Sequence, residues 1–246
     1  MKILMLDVET SPNTAFVWGL FDQTIPITAI KESSSVLCWS AKWHGKKELM
    51  FDSVHKSSHK KMLEGIHALM DEADAICHYN GTRFDIPVLN KEFILAGMSP
   101  PAPSKDIDLL RTARSRFKFT SNKLDYVAQV LGLGSKTKHT GYQLWIDCMN
   151  RCPKAWKLME RYNKQDVLLL EKVHDRLLPW IKNYPNQNLY GKINSCPSCG
   201  SKKMQRRGTA VSVNVKYQRW QCLGCGKWSK GEKSESHVKA KFQGIH

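Results

Sequence analysis

Five side chains in three short segments carry the chemistry visible in this sequence. Asp7-Val-Glu9, Asn80-Gly-Thr-Arg-Phe-Asp85 and Tyr162-Asn-Lys-Gln-Asp166 supply four carboxylates and one phenol. Carboxylates brought together repel one another unless cations lie between them, and hard divalent cations held by carboxylate oxygens are a general means of hydrolysing phosphodiesters. Asp7 and Glu9 stand two apart at the end of an apolar run, so a strand there turns both to one face. Asp85 follows an Asn-Gly turn and opens a helix. It can cap that helix, reach the strand bearing Asp7, or do both. Asp166 interrupts an apolar stripe at helical spacing made of Ala155, Met159, Tyr162, Leu169, Leu170, Val173 and Leu177. A carboxylate in such a stripe is costly to bury unless it is paired or holds a metal. Tyr162 lies one turn before it on the same face.

A second constellation lies near the C-terminus. Cys196-Pro-Ser-Cys199-Gly200 and Cys222-Leu-Gly-Cys225-Gly226 are matched pairs with 22 residues between Cys199 and Cys222. Each pair sets two thiolates in a tight turn, and the following glycine permits positive φ. Four thiolates suit one structural Zn2+ in a zinc ribbon. A ribbon of about 35 residues has too little core to hold itself together, so metal binding would fold it. Cys38 and Cys77 lie in apolar stretches and read as buried thiols.

Several elements must position these groups. Ile3–Leu6, Ala15–Phe21, Ser35–Trp43, 48–52 and Ala75–Tyr79 read as strands from their apolar, β-branched or aromatic content. Lys60–Met70, Ile86–Ala96, Asp108–Arg116, Lys123–Leu131 and Lys154–Trp180 read as helices, and Asp106 and Asp125 as caps. Strands first, then strand–helix alternation, then helices predict an α/β sheet with helices packed on it. Asn183-Tyr-Pro-Asn-Gln-Asn188 is breaker-rich and reads as the start of a linker. The expected division is therefore a domain over 1–182, a linker over 183–194, a zinc ribbon over 195–228 and a basic mobile tail over 229–246. Within the ribbon, Val211, Val213, Val215 and Tyr217 alternate with polar residues as in one half-exposed strand.

The 246 residues are 41% hydrophobic, enough for a packed core, and carry a net charge of +16. That charge is uneven: residues 186–246 hold 12 Lys and Arg against 2 acids. A basic appendage on a near-balanced domain points to a polyanionic partner. Arg111, Arg114, Arg116 and Lys118 interleave with Phe117 and Phe119, as a groove for single strands requires, though a basic helix end over core phenylalanines has the same pattern. Lys136, Lys138 and His139, in a glycine-flanked loop before Tyr142-Gln-Leu-Trp145, could line a substrate channel. On the ribbon, Lys202, Lys203, Arg206, Arg207, Lys216 and Arg219 could meet phosphates, with protein docking the competing role. Met1-Lys-Ile-Leu-Met-Leu-Asp7 has too few apolar residues before an acid for a signal core, and no apolar run reaches the roughly 18 residues of a membrane span. The expectation is a cytoplasmic protein with no membrane partner.

Asp7-x-Glu9, Asn80-xxx-Phe84-Asp85 and Tyr162-xxx-Asp166 resemble the three motifs of the DEDDy 3′–5′ exonucleases, whose fold is ribonuclease H-like. The middle motif is most similar to that of the proofreading domains of family B DNA polymerases. The tyrosine form fits because no His stands five residues before a suitable late Asp. The resemblance covers roughly residues 1–180, and no polymerase follows, as in small exonucleases of bacteria and their phages. It implies a mixed sheet flanked by helices and hydrolysis of nucleic acid by two Mg2+ or Mn2+ ions. It further implies that Asp7, Glu9 and Asp166 hold the first ion, that Asp7 bridges to a second supported by Asp85, and that Tyr162 orients the attacking water. Glu9 would also contact the terminal 3′-hydroxyl, and Asn80 and Phe84 would touch the substrate. DNA is the expected partner, with RNA open, and a replication or recombination protein could dock on the ribbon. A structure-selective endonuclease and a non-catalytic binding protein are the alternatives.

Overall fold

The computed structural model describes residues 1–191, 193–212 and 215–235. The chain divides into two compact units, Lys2–His174 and Asp175 onward, the latter with Met1. The division falls inside the last long helix, earlier than the boundary expected after residue 182.

The first unit is built on a five-stranded mixed sheet. Strands β1 (Ile3–Thr10), β2 (Thr14–Ala15), β3 (Ile30–Glu32), β4 (Val36–Trp43) and β5 (Met50–Ser53) precede helix α1 (His59–Glu72). Strand β6 (Ala75–His78), helix α2 (Asp85–Leu95), strand β7 (Lys105–Asp108) and helices α3 (Leu109–Arg116), α4 (Leu124–Val130), α5 (Gln143–Met149) and α6 (Pro153–Leu177) follow. The sheet order is β5-β4-β1-β6-β7. β1 runs antiparallel to β4 and parallel to β6, and β6 runs parallel to β7.

The apolar run predicted at Ile3–Leu6 becomes the central strand because both its faces are covered. Leu4, Leu6 and Val8 pack with Met62, Leu63, Ile66 and Met70 of α1 and Leu89 and Phe93 of α2. On the other side of the sheet, Leu37 and Cys38 of β4 pack with Leu144 and Cys148 of α5 and Ala155, Trp156 and Met159 of α6. Cys38 is the register partner of Glu9. Strand alternation thus sends Leu4, Leu6 and Val8 to the α1/α2 layer and Asp7 and Glu9 toward α6.

Some expectations need correction. Only Thr14 and Ala15 of the run expected as a strand over Ala15–Phe21 are in one, pairing with β3. Phe16, Trp18, Leu20 and Phe21 stand exposed, Trp18 fully so. Aromatic content mimics a strand, but among the described residues no element buries Phe16, Trp18, Leu20 or Phe21. β7 and α5 went unpredicted: β7 mixes two acids into four residues, and α5 is only two turns long. Cys38 and Cys77 are buried thiols, as expected.

The turn from β6 into α2 is tightly built. Asn80 adopts φ 75°, and the Gly81 amide donates to His78 Nδ1 at 2.9 Å. A Cβ on Gly81 would lie 2.3 Å from His78 Cγ. We expect Gly81→Ala to cost about 1–3 kcal/mol through overpacking, visible as a lowered Tm. A variant melting with the wild type would show that this close approach does not hold the turn.

The second unit contains an antiparallel sheet of β8 (Met204–Ser212), β9 (Val215–Cys222) and β10 (Trp228–Ser234), in the order β10-β9-β8. The alternating run read as one strand is divided, since Ser212 of β8 pairs with Val215 of β9; Val213 lies outside the described residues. Ser229 and Lys230, expected in the tail that starts at residue 229, pair with Trp220 and Arg219. The remainder of that tail, residues 236–246, lies outside the described residues. Part of the expected linker is structured: Gln187–Tyr190 form a 3-10 turn, the Gln187 amide donates to Pro197 O at 2.7 Å, and Asn188 exchanges hydrogen bonds with Ser195. Among the described residues no helix is long and apolar enough to cross a membrane.

Candidate active site

Asp7 and Glu9 of β1 and Asp166 of α6 each offer an oxygen within 4.8 Å of the others. A separate donor orients each acid of the group. Asn163 Nδ2, one residue after Tyr162, donates to Asp7 Oδ2 at 2.6 Å. Trp145 Nε1 of α5 donates to Glu9 Oε2 at 3.2 Å. The amide of Val8, between the two β1 acids, donates to Asp85 Oδ1 at 2.9 Å. Asp85 thus turns its carboxylate to β1 and to its own amide in the first turn of α2, while the N-cap position, Phe84, makes no side-chain cap bond.

Asp166 and Tyr162 share a partner that the motifs do not include. Lys136 Nζ lies 2.5 Å from Asp166 Oδ2 and donates to the Tyr162 hydroxyl at 3.1 Å. The other oxygen, Asp166 Oδ1, is buried without a hydrogen-bond partner. His139 and Trp145 set their edges against the Tyr162 ring. Beside them a pocket of about 350 Å3 is lined by Thr10, Ser11, Pro12, His139, Gly141, Tyr142 and Trp145.

Burial and mutual repulsion make this a site that resists ionisation. Burial pushes Asp7 well up, and Asp166, Glu9 and Asp85 add to it. Glu9 rises to about 8, from burial first and Asp166 next. Burial lifts Asp85 to about 6 against the opposing pull of His78. Burial also raises Asp166, although Lys136 works against it. Burial disfavours the Lys136 charge, yet Asp166 and its neighbours hold the ammonium well above its ordinary range. Burial, then Asp166, keep the Tyr162 phenol protonated at neutral pH. Carboxylates with raised pKa values lose native stability as pH rises, and a bound cation relieves that cost.

The residues fit a divalent cation. Three carboxylates converge with one unsatisfied buried oxygen, and an all-oxygen donor set suits Mg2+ or Mn2+.

Other expected residues fall into distinct places. Asp106 is not a cap: it lies 2.6 Å from His78 Nε2, accepts from Thr82 Oγ1, and sits 3.4 Å from Arg111. Asp108 caps α3 instead, and also accepts from the Asn80 amide at 3.1 Å. Asp125 likewise caps nothing, accepting from Gln129 Nε2 and from the Lys136 amide. Phe84 is 40% exposed beside Asp85. Arg114, Arg116 and Lys118 are exposed, with Phe117 and Phe119 stacked at 5.2 Å, but β1, α2 and α6 gather the acids without this segment. Asn163, Trp145 and Lys136 are the site residues that sequence reasoning missed or underweighted. Only Asn163, beside Tyr162 in the third motif, had a positional signal.

In the second unit the four expected thiols converge. Cys196, Cys199, Cys222 and Cys225 offer sulfurs within 4.8 Å of one another, an arrangement compatible with a zinc ribbon. Gly200 and Gly226 adopt φ 71° and 82°, as the knuckle turns require. Burial works against a Cys222 thiolate, but the amides of Cys225 and Gly224 donate to it and bring it to about 7. Burial raises Cys199 to about 11 and raises Cys225 further. Lys202, Lys203, Arg206 and Arg207 are exposed, Arg206 paired with Glu235. Arg219 lies over the Trp228 ring and Lys230 over Tyr217.

A mixed sheet with acids at the end of its central strand, completed by a late helix, defines a ribonuclease H-like α/β domain. The RNase_H_2 family model of the RNase H superfamily matches residues 4–178, and the chain belongs to that superfamily. Among solved structures it is similar to the family B DNA polymerase of the hyperthermophilic archaeon Pyrobaculum calidifontis, with TM-score 0.56 and 17% identity. That match covers 72% of this chain and 24% of the polymerase, so this chain spans about a quarter of its length. A search of curated proteins gave no significant match.

Proposed function

We propose that this protein is a metal-dependent 3′–5′ exonuclease that hydrolyses phosphodiester bonds, with single-stranded DNA as its substrate. The observation that carries this reading is the convergence of Asp7, Glu9 and Asp166 around an unpartnered buried oxygen, with the Tyr162 hydroxyl beside Asp166. The order and spacing of the motifs support the 3′–5′ direction, and the polymerase-like fold supports action on nucleic acid. Asp7, Glu9 and Asp166 would hold one Mg2+ or Mn2+, and Asp7 with Asp85 a second. Bound divalent cations supply hydroxide near neutral pH and stabilise the leaving oxygen.

The protein's own groups do the positioning. Asn163 and Trp145 fix the carboxylates of Asp7 and Glu9, which lowers the reorganisation needed when substrate binds. Tyr162, kept protonated by its surroundings, has a hydroxyl to orient water at Asp166. The pocket of His139, Tyr142 and Trp145 adjoins Glu9 through its Trp145 bond and offers aromatic faces to a base. The four thiols would hold one structural Zn2+, and the basic ribbon would bind nucleic acid or a replication or recombination protein in the cytoplasm.

The test is incubation of the purified protein with 5′-labelled single-stranded DNA and RNA, with Mg2+, Mn2+ or EDTA, and with a circular single strand as control. A metal-dependent ladder shortening from the 3′ end is expected, with the circle untouched. A cut circle would replace the reading with an endonuclease, and intact substrate in every lane, duplex included, would overturn catalysis.

A further inference from the structure

We propose that Lys136 is a resident counter-cation of the acid site, which occupies Asp166 in the metal-free protein and yields it to an incoming divalent cation. Lys136 thereby sets the metal concentration at which the site loads. The inference rests on the reading of these acids as metal ligands.

Its first support is the contrast between two lysine–carboxylate pairs in the same domain. Lys42 Nζ lies 2.6 Å from both oxygens of Glu171, and Glu171 Oε1 also accepts from the Gly45 amide. That acid is satisfied and has no vacancy for a metal. Asp166 is different: Lys136 takes only Oδ2, while Oδ1 stays buried and unpartnered. An unsatisfied buried acceptor costs free energy, and at Asp166, unlike at Glu171, it belongs to a carboxylate with an oxygen within 4.8 Å of two further carboxylates.

The second support is the way Lys136 is delivered. Its loop starts and ends at Gly132, Gly134 and Gly141, with φ of 68°, 118° and 68°. The backbone between them is pinned: the Lys136 amide donates to Asp125 Oδ1 at 2.7 Å, and Gln165 Nε2 of α6 donates to Ser135 O at 3.3 Å. The backbone is therefore fixed while the ammonium sits at the end of a flexible four-carbon stem. The Lys136 side chain is 31% exposed and that of Asp166 only 1%, so the ammonium can withdraw toward solvent while the carboxylate cannot.

The third support is charge. Asp7, Glu9, Asp85 and Asp166 face one ammonium, too little to balance all four if ionised, so in the absence of metal the site resists full ionisation. A divalent cation entering at Oδ1 would face the ammonium on Oδ2 across a single carboxylate, and that like-charge repulsion drives the ammonium off Asp166. Tyr162 remains to the released lysine as a hydroxyl and as a ring, whose centroid already lies 5.1 Å from Nζ.

The test is calorimetric titration of Mn2+ into the metal-free full-length wild type and Lys136→Met, with melting of both proteins in each state. The variant keeps the stem and removes the charge. It should bind Mn2+ up to about fivefold tighter, the scale expected for removing one competing ion pair. It should melt below the wild type without metal and level with it when saturated. A lysine serving only the loop would lower both melting points equally. Lys136→Arg, which keeps the charge, should leave Mn2+ affinity at or below the wild-type value and covers the case in which the Met variant fails to fold. Equal Mn2+ affinity in wild type and Lys136→Met overturns the proposal. Absence of Mn2+ binding in the wild type overturns the metal-site reading itself, and the counter-cation role with it.

Discussion

Asp7→Asn is expected to abolish hydrolysis while making the metal-free protein more stable at pH 8. Asp7 lies at the centre of the repulsion, facing Asp166, Glu9 and Asp85 in a buried setting. The amide keeps an oxygen for Asn163 Nδ2 but removes the charge that a bridging metal needs. Losing such a ligand costs several kcal/mol of transition-state stabilisation, or about 10³-fold in rate. The stability effect has the opposite sign. The folded pKa of Asp7 is raised, so its ionisation costs the native state stability as pH climbs above the unfolded value. The Asn variant escapes that cost, and its advantage should shrink as pH falls toward 4. Melting curves across this range and a turnover assay check both halves. A variant that hydrolyses at the wild-type rate, or melts lower at pH 8, contradicts the assignment.

Cys222→Ser should unfold the ribbon while leaving Lys2–His174 folded. The β8 strand is exposed along nearly all its length, and among the described residues Cys196 and Cys222 are the ribbon's buried apolar residues. So small a core cannot offset the entropy of ordering three strands. Zinc binding to finger-sized domains supplies about 10–16 kcal/mol, and most of it is lost when one thiolate is removed. Cys222 is the sharpest choice because two amides already favour its thiolate. The wild type should carry one zinc per chain by elemental analysis. In the variant, the β9 amides should exchange rapidly while those of β1 stay protected. Slow β9 exchange in a zinc-free variant would show that the sheet stands without metal.

What the sequence disclosed follows from which signals are periodic. The run at Ile3–Leu6 and the i, i+2 spacing of Asp7 and Glu9 located a central strand with acids on one face. The stripe through Ala155 and Leu177 located α6 and marked Asp166 as anomalous. Cysteine spacing located the thiol cluster. Lys136 had no such signal: a basic residue in a glycine-flanked loop reads the same whether it faces solvent or a carboxylate. Trp145 read as one more aromatic, since nothing local reports a bond to Glu9, 136 positions away. The aromatic arm from Phe16 to Phe21 misled because β propensity measures fitness for a covered surface and not whether a cover exists.

The order of the acids along the chain also matters while the protein is being made. Asp7, Glu9 and Asp85 are synthesised early, but Lys136, Trp145, Tyr162, Asn163 and Asp166 all come later. Helix α6, Pro153–Leu177, closes the domain and brings three of these groups to β1 at once. A nascent chain halted before residue 166 would present Asp7 and Glu9 without their third carboxylate. Translation must therefore run almost to the end of the domain before the acids have anything to converge on, and a truncated product carries acids but no site.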